Sequence, residues 1–234
     1  MNDLGNALVE WDRSTFIALN HGLKNPALDL VMPVITDIGL GHVQAVIVIV
    51  LAVYLGIRAG EIRRKGLRNS TWAAIIARRS WIAPLLLSYA LGGIAATALK
   101  TIPRERPWWF YVHQHERGLD TDVRVLTVEG VYPLKVRGFP SGHTATTVGM
   151  ATVLTWLYSR RRYGPLMAAG LWVLAGIVAL SRIYLASHWP LDIVGGAALG
   201  ILSGIVSVLI CRQWALTGER RRMSAAEQRI GDTG

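Results

Sequence analysis

Six ionisable side chains stand beside long apolar segments, where a buried charge is costly. They are Lys100, Arg106, His143, Arg182, His188 and Asp192. Ionisable groups at membrane depth mark functional sites by default. Three of the six are cations, and ammonium and guanidinium groups suit the dispersed negative charge of a phosphate. The set therefore predicts an anion site with two imidazoles available for proton transfer or nucleophilic attack.

The residues 140–143, Pro-Ser-Gly-His, lead into one of these apolar segments. Ser141 is a favourable N-cap for a helix, and the free amides at a helix N-terminus favour an anion. Gly142 lets a phosphoryl group come close to the backbone, since it carries no side chain.

His188 and Asp192 are four residues apart, so on a helix they share one face. A carboxylate bonded to one imidazole nitrogen fixes the tautomer and leaves the other nitrogen as a nucleophile. His143 comes from another segment and is available as the acid for the leaving oxygen. A metal site formed by these three residues is the alternative. The surrounding cations would repel a metal ion, so we expect neither a metal nor another cofactor.

Two of these patterns resemble the signatures of a known family. Residues 140–143, and Ser181-Arg182 followed by His188 and Asp192, are similar to the second and third signatures of the type 2 phosphatidic acid phosphatase superfamily. Its members are integral membrane lipid phosphatases related to vanadium haloperoxidases. The resemblance covers roughly residues 30–210.

The resemblance implies a role for each site residue. His188 would attack phosphorus and form a phosphohistidine, Asp192 would orient His188, and His143 would protonate the leaving group and later activate water. No metal would be needed. The phosphoryl oxygens would be held by Lys100, Arg106, Arg182, Ser141 and the Gly142 amide.

The first signature of the family fits less well. The family has six residues between its lysine and its Arg-Pro pair, whereas five separate Lys100 from Arg106-Pro107 here. One missing residue turns a helix by about 100°, although Pro103 breaks the helix in between. This leaves two candidates for the first cation, Lys100 and Arg104.

The apolar segments predict the fold. Hydrophobic residues make up 52% of the 234 residues, and a helix needs about 20 apolar residues to cross a bilayer. Five windows of that length lack Asp, Glu, Lys and Arg: 38–57, 80–99, 138–159, 163–181 and 193–211. We predict an all-α, polytopic membrane helix bundle of five transmembrane helices in a single domain, residues 1–234.

The polar segments complete this organisation. Residues 1–30 hold six charged side chains, and Leu8, Trp11 and Leu19 fall near helical spacing. They predict an amphipathic helix lying in the membrane interface, with a surface helix packed on the bundle as the alternative. Residues 101–137 are predicted to form an outer loop, with a weak hairpin signal at 124–136. The N-terminal residues lack the pattern that is typical of a removable signal peptide.

The charge distribution predicts the topology. The net charge is +10, and the segments 58–79, 160–162 and 212–234 together carry 15 basic and 4 acidic residues. The positive-inside rule makes this face cytoplasmic, including the basic tail 212–234. The six site residues then lie at the outer face, and a bacterial plasma membrane is the expected setting. Because the basic runs are explained by topology, we expect no nucleic-acid partner.

We therefore expect a metal-independent phosphatase that hydrolyses a lipid phosphate or diphosphate. Undecaprenyl diphosphate is the first candidate, with phosphatidylglycerol phosphate, phosphatidic acid and lipid A 1-phosphate as alternatives. Transfer of the phosphoryl group to another lipid is a further alternative. A transporter or flippase is the alternative from another class, but such proteins usually show repeats and a midplane site. The sequence does not indicate an oligomeric state.

Overall fold

The computed structural model describes residues 3–50, 82–119, 123–131 and 134–231. The regular structure in these ranges is helical throughout and contains no strand, so the predicted all-α class is confirmed. The basic segment 58–79, predicted to be cytoplasmic, lies outside the described residues. The helices are α1 Asp3–Gly22, α2 Pro26–Ile38, α3 Gly41–Val50, α4 Ile82–Leu99, α5 Pro107–Glu116, α6 Gly142–Tyr158, α7 Gly164–Tyr184 and α8 Pro190–Gly231.

Helix α6 forms the centre of the bundle and packs against α4, α7 and α8. Glycines on α8 allow a very close approach to α6, as small residues do between membrane helices. A Cβ atom at Gly196 would lie 2.5 Å from the carbonyl oxygen of Ser141, and one at Gly200 would lie 2.5 Å from that of Ala145. This contact brings the N-terminal ends of α6 and α8 together.

Within the described ranges, three helices are long and apolar enough to cross a membrane: α4, α7 and the Pro190–Gly218 part of α8. Helices α2 and α3 add a fourth candidate if they form one span, bent by 63° at their junction. Helix α6 occupies the predicted window 138–159 but has only 17 residues. The protein is thus a membrane helix bundle, while the predicted count of five spans is not confirmed. Residues 51–57 of the first predicted window lie outside the described ranges.

The N-terminal segment forms two helices instead of the one predicted for residues 1–30. The Asn25 side chain accepts from the Ala27 amide and Pro26 opens α2, so the chain stops and restarts here. Helix α1 packs on α7 and α8. Its buried face carries Asp12, Phe16 and Asn20, at a spacing of one helical turn. Leu8 and Trp11 of the predicted apolar face remain exposed.

The predicted hairpin at 124–136 is wrong for the described part of that segment, because residues 123–131 and 134–136 contain no strand. Their backbone groups bond to side chains of the N-terminal region instead. Asn20 donates to the Leu126 carbonyl at 3.0 Å and accepts from the Leu126 amide at 2.9 Å. Lys24 donates to the Thr127 carbonyl at 2.8 Å. These bonds replace the cross-strand bonds that a hairpin would need.

Candidate active site

The structure brings the six ionisable residues together. They come from the ends of four bundle helices and from two connections between helices. Lys100 follows the last residue of α4, and Arg106 caps the start of α5. His143 lies in the first turn of α6, and Arg182 in the last turn of α7. The connection from α7 to α8 carries the nucleophile candidate His188, and the first turn of α8 carries Asp192.

His188 and Asp192 form a buried pair. The Nδ1 atom of His188 lies 3.3 Å from Oδ2 of Asp192, which also accepts from the Trp189 amide at 3.0 Å. The two side chains are 2% and 0% exposed. Because a carboxylate only accepts, this contact places the imidazole proton on Nδ1, and the lone pair is then on Nε2.

The Nε2 atom of His188 faces a cation. Nη1 of Arg106 lies 3.2 Å from it and also donates to the Ser187 carbonyl at 2.9 Å. A second nitrogen of Arg106, Nε, donates to the Val136 carbonyl at 3.2 Å. Arg106 is 4% exposed. Its hydrogen bonds to the two carbonyls hold the guanidinium beside the imidazole.

Burial lowers the pKa of His188 well below its usual value, and the positive charges of Arg106, Arg182 and Lys100 lower it further. The imidazole is therefore neutral at pH 7, which a nitrogen nucleophile requires. The same three cations, together with His188, act electrostatically on His143. Both imidazoles thus lie in the field of one cation cluster.

The N-terminus of α6 is tied to α8. The Ser141 amide donates to the Asp192 carbonyl at 2.9 Å, while Ser141 Oγ accepts from the Thr144 hydroxyl at 3.0 Å and caps the helix. A Cβ atom at Gly142 would meet one group in the described part of the chain, Nζ of Lys100, at 3.8 Å. The first turn of α6 therefore presents its backbone to the lysine ammonium across an open space.

The two candidates for the first cation have different surroundings. Lys100 is half-buried, and burial together with Arg106, Arg182 and Arg137 lowers its pKa. Arg104 instead pairs with Asp12 and with Oδ1 of Asp192, the latter at 3.0 Å from Arg104 Nε. The structure therefore places Lys100 among the cations that surround the imidazoles and Arg104 behind Asp192.

Arg182 is anchored by one nitrogen and leaves another without a partner. Its Nη1 donates to the Thr36 hydroxyl at 2.7 Å, so α2 holds the guanidinium in place. Its Nε is buried and has no hydrogen-bond acceptor among the described residues. Such a donor is costly unless a ligand oxygen satisfies it.

The junction between α2 and α3 packs against the start of α6. A Cβ atom at Gly39 would lie 2.6 Å from Cγ1 of Val178 and 3.0 Å from Cβ of His143, so a larger residue would push these groups apart. Thr146 of α6 donates to the Gly39 carbonyl at 3.0 Å. The sequence analysis missed Gly39 and Thr36, since neither residue type carries chemistry of its own.

Asp12 is the other residue that the sequence analysis missed. In the sequence it is one of the six charged residues of segment 1–30, yet in the structure it is 4% exposed and contacts Arg104. Among the described residues, no group of three or more His, Cys, Asp or Glu side chains is arranged to hold a metal ion.

A sequence model described as the PAP2 superfamily matches residues 81–215, more than half of the chain. The chain belongs to the PAP2 superfamily. The matched region contains all six ionisable residues of the candidate site. It also contains α6 and the first part of α8, whose N-terminal ends meet there.

Three similar proteins of this superfamily illustrate its range. The chain is 39% identical over 66 residues to a lipid A 1-phosphatase of Porphyromonas gingivalis, which is 28% of this chain and 14% of that protein. It is 35% identical over 82 residues to the putative undecaprenyl-diphosphatase YbjG of Escherichia coli, 35% of this chain and 37% of that protein. The alignments thus span well under half of either relative. The crystal structure of LpxE from Aquifex aeolicus superposes with a TM-score of 0.58 at 26% identity, covering 83% of this chain and 93% of that one.

Proposed function

We propose that this PAP2 protein is a membrane phosphatase that hydrolyses a lipid phosphate or diphosphate through a phosphohistidine at His188. One observation carries the proposal. The buried His188 imidazole has Asp192 on Nδ1 and the Arg106 guanidinium at Nε2. This arrangement makes Nε2 a nucleophile that faces a phosphate-binding cation.

In the first step the Nε2 lone pair of His188 forms a bond to phosphorus. The bond from phosphorus to the leaving oxygen breaks, its electron pair stays on that oxygen, and His143 donates a proton to it. Burial and the nearby cations lower the pKa of His143 in the free protein. His143 takes up this proton together with the phosphate, because the negative charge of the bound phosphate offsets those cations. The phosphorylated ring then carries a proton on Nδ1 and a positive charge. Asp192 accepts the hydrogen bond from Nδ1 and offsets that charge.

In the second step His143 acts as the base. It takes a proton from water while the water oxygen forms a bond to phosphorus. The bond from phosphorus to Nε2 breaks, the electron pair returns to the ring of His188, and inorganic phosphate leaves. The cycle restores both imidazoles to their starting protonation states.

The phosphoryl oxygens have several donors. Arg106 and Arg182 supply guanidinium groups, the latter with an unpartnered Nε. Lys100 and the Gly142 backbone face each other across the N-terminus of α6. Preorganised donors of this kind stabilise charge that develops in a transition state. Ser141 positions this turn through its cap, and its hydroxyl proton is a further donor.

A fourth cation favours a diphosphate over a monophosphate. The positive charge of the exposed Arg137 acts electrostatically on Lys100. The backbone carbonyl of Arg137 accepts a hydrogen bond from Nη2 of Arg106 at 3.4 Å. A guanidinium next to the three inner cations suits the second phosphate of a polyprenyl diphosphate. Undecaprenyl diphosphate is therefore our first candidate, and the likeness to the putative undecaprenyl-diphosphatase supports it.

The cellular setting follows from charge. With the basic segments in the cytoplasm, the site opens at the outer face of a bacterial plasma membrane. Substrate headgroups would enter sideways from the bilayer while the tails stay in lipid. Membrane lipids are thus both solvent and substrate source.

The test uses the purified full chain in detergent with EDTA and four lipids. These are undecaprenyl diphosphate, phosphatidylglycerol phosphate, phosphatidic acid and lipid A 1-phosphate. We expect release of inorganic phosphate that is lost in His188→Ala and kept in His42→Ala, since His42 is exposed. Full activity of His188→Ala would refute the mechanism. Labelled phosphate that appears on an acceptor lipid instead would indicate a transferase.

The preference for diphosphate has its own control. We expect Arg137→Gln to lower kcat/KM for undecaprenyl diphosphate by about tenfold and to leave phosphatidic acid hydrolysis nearly unchanged. An equal loss with both lipids would show that Arg137 does not read the second phosphate. A highest kcat/KM on one of the monophosphates would remove undecaprenyl diphosphate as the first candidate.

A further inference from the structure

The catalytic candidate Asp192 is in contact with more than His188. Its second oxygen, Oδ1, lies 3.0 Å from Nε of Arg104. Arg104 in turn pairs through Nη2 with Oδ2 of Asp12. One guanidinium therefore bridges two buried carboxylates, and the other end of the bridge belongs to the N-terminal helix α1.

Asp12 is tied to the helix that carries Asp192. Its Oδ1 accepts from the Leu191 amide at 2.8 Å, in the first turn of α8. A carboxylate at a helix N-terminus is favourable, because it satisfies a free amide and complements the helix dipole. One turn further along α1, Phe16 packs against Trp189 with ring centroids 5.2 Å apart. Together these contacts hold α1 against the start of α8.

The charges along this row alternate. The His188 ring becomes positive when it is phosphorylated, Asp192 is negative, Arg104 is positive and Asp12 is negative. Without Asp12, Arg104 would be an uncompensated cation that weakens the support Asp192 gives to the positive ring. Without Arg104, two buried carboxylates would lie close together with no cation between them, which is unfavourable.

We propose that Asp12 and Arg104 are positioning residues that act as one unit on Asp192, so that α1 completes the active site. This inference rests on the proposed function, because it assigns the pair a role in the phosphohistidine step. Neither residue touches the substrate. Their effect is on how strongly Asp192 supports the charged ring.

The test compares Asp12→Asn, Arg104→Gln, Arg104→Lys and the double variant Asp12→Asn/Arg104→Gln. Each is assayed on the lipid of the four above that the wild type hydrolyses fastest, with Glu10→Gln as a matched control on an exposed position of α1. We expect each neutralising single variant to lower kcat by roughly tenfold or more, as for other partners of an oriented imidazole. KM and vanadate inhibition should change less than about threefold. Arg104→Lys, which keeps the charge, should recover part of the loss.

The double variant decides whether the two residues act together. If they form one unit, its loss should not exceed that of the worse single variant. A loss equal to the product of the single losses would overturn the unit, and unchanged kcat in both single variants would overturn the inference altogether. So would a rise in KM at constant kcat. An active His188→Ala protein would instead sink the proposed function, so the two failures are distinguishable.

Discussion

The Nδ1 atom of His188 lies 3.3 Å from Oδ2 of Asp192, one helical turn further along the chain. This relationship determines which ring nitrogen carries the lone pair. It exists because α8 begins at Pro190, two residues after the histidine, so the carboxylate lies in the first turn of the helix that follows. Asp192 also binds the Trp189 amide through the same oxygen, which restricts its orientation. The start of α8 thus determines which ring nitrogen of His188 is the nucleophile.

The acid limb of the pH profile should reveal the state of His188. A group that acts as a neutral nucleophile loses activity when the pH falls through its pKa, and burial holds the pKa of His188 well below 6.5. We expect the acid midpoint of kcat/KM to lie below pH 6.5, because this parameter reports the free enzyme. Measuring the profile with two aryl phosphates that have different pKa values distinguishes ionisation of the enzyme from ionisation of the substrate. A common midpoint at or above pH 6.5 would contradict this electrostatic account.

The Gly142→Ala variant should lose phosphate binding without losing stability. Among the described residues outside its own turn, a methyl group there meets only Nζ of Lys100, at 3.8 Å, so the fold accommodates it. It would occupy the space in which we place the phosphate. We expect at least about tenfold weaker inhibition by vanadate and no decrease in Tm.

Two other glycines provide matched controls for that variant. Gly93→Ala on α4 meets no atom of the described ranges within 4 Å and should change neither property. Gly200→Ala would place Cβ 2.5 Å from the Ala145 carbonyl and should destabilise the fold by about 1–3 kcal/mol. Normal vanadate inhibition in Gly142→Ala would argue against a phosphate beside the α6 N-terminus.

Substitutions of Lys100 and Arg104 should have different effects on inhibition by vanadate. Vanadate imitates the five-coordinate phosphoryl group, and only Lys100 stands with the cations around the imidazoles. We expect Lys100→Gln to weaken vanadate inhibition by about tenfold or more, while Arg104→Gln lowers kcat and leaves inhibition nearly unchanged. The reverse pattern would assign the first-signature role to Arg104.

Loss of His143 should depend on the leaving group. A lipid alcohol or phosphate needs a proton as it departs, so His143→Ala should lower turnover of a lipid by roughly 10²–10⁴-fold. Nitrophenolate leaves without a proton, so nitrophenyl phosphate should still phosphorylate His188. Water activation would be missing, and a burst of about one nitrophenolate per enzyme should precede a slow phase. Equal losses on both substrates would contradict the assigned acid role.

Much of the bundle could be predicted because a membrane span is a simple pattern. The charge-free windows 80–99, 163–181 and 193–211 each cover all or most of a helix that is long enough to span a membrane. The bend between α2 and α3 could not be predicted, because it depends on Gly39 meeting His143, which are distant in sequence. The hairpin signal at 124–136 failed because Asn20, from another helix, satisfies that backbone.

The site could be predicted to the extent that its residues form short motifs. The pairing of His188 with Asp192 follows from their spacing of four residues, although His188 precedes the helix that carries Asp192 and is not part of it. Ser141 follows from its place before an apolar run. The choice between Lys100 and Arg104 was open in the sequence, because it depends on a loop conformation and on Asp12 as a remote partner. Asp12 itself looked like an ordinary surface charge, since burial in a tertiary contact leaves no local pattern.

The most direct test is to identify the phosphorylated residue in His143→Ala. The variant is mixed with ³²P-labelled nitrophenyl phosphate, quenched, digested and analysed by mass spectrometry. We expect one phosphoryl group per chain on His188, stable in alkali and labile in acid. The double variant His143→Ala/His188→Ala should carry none. Label on another residue, such as Ser141, or a nitrophenolate burst with no label on the protein, would contradict nucleophilic catalysis by His188.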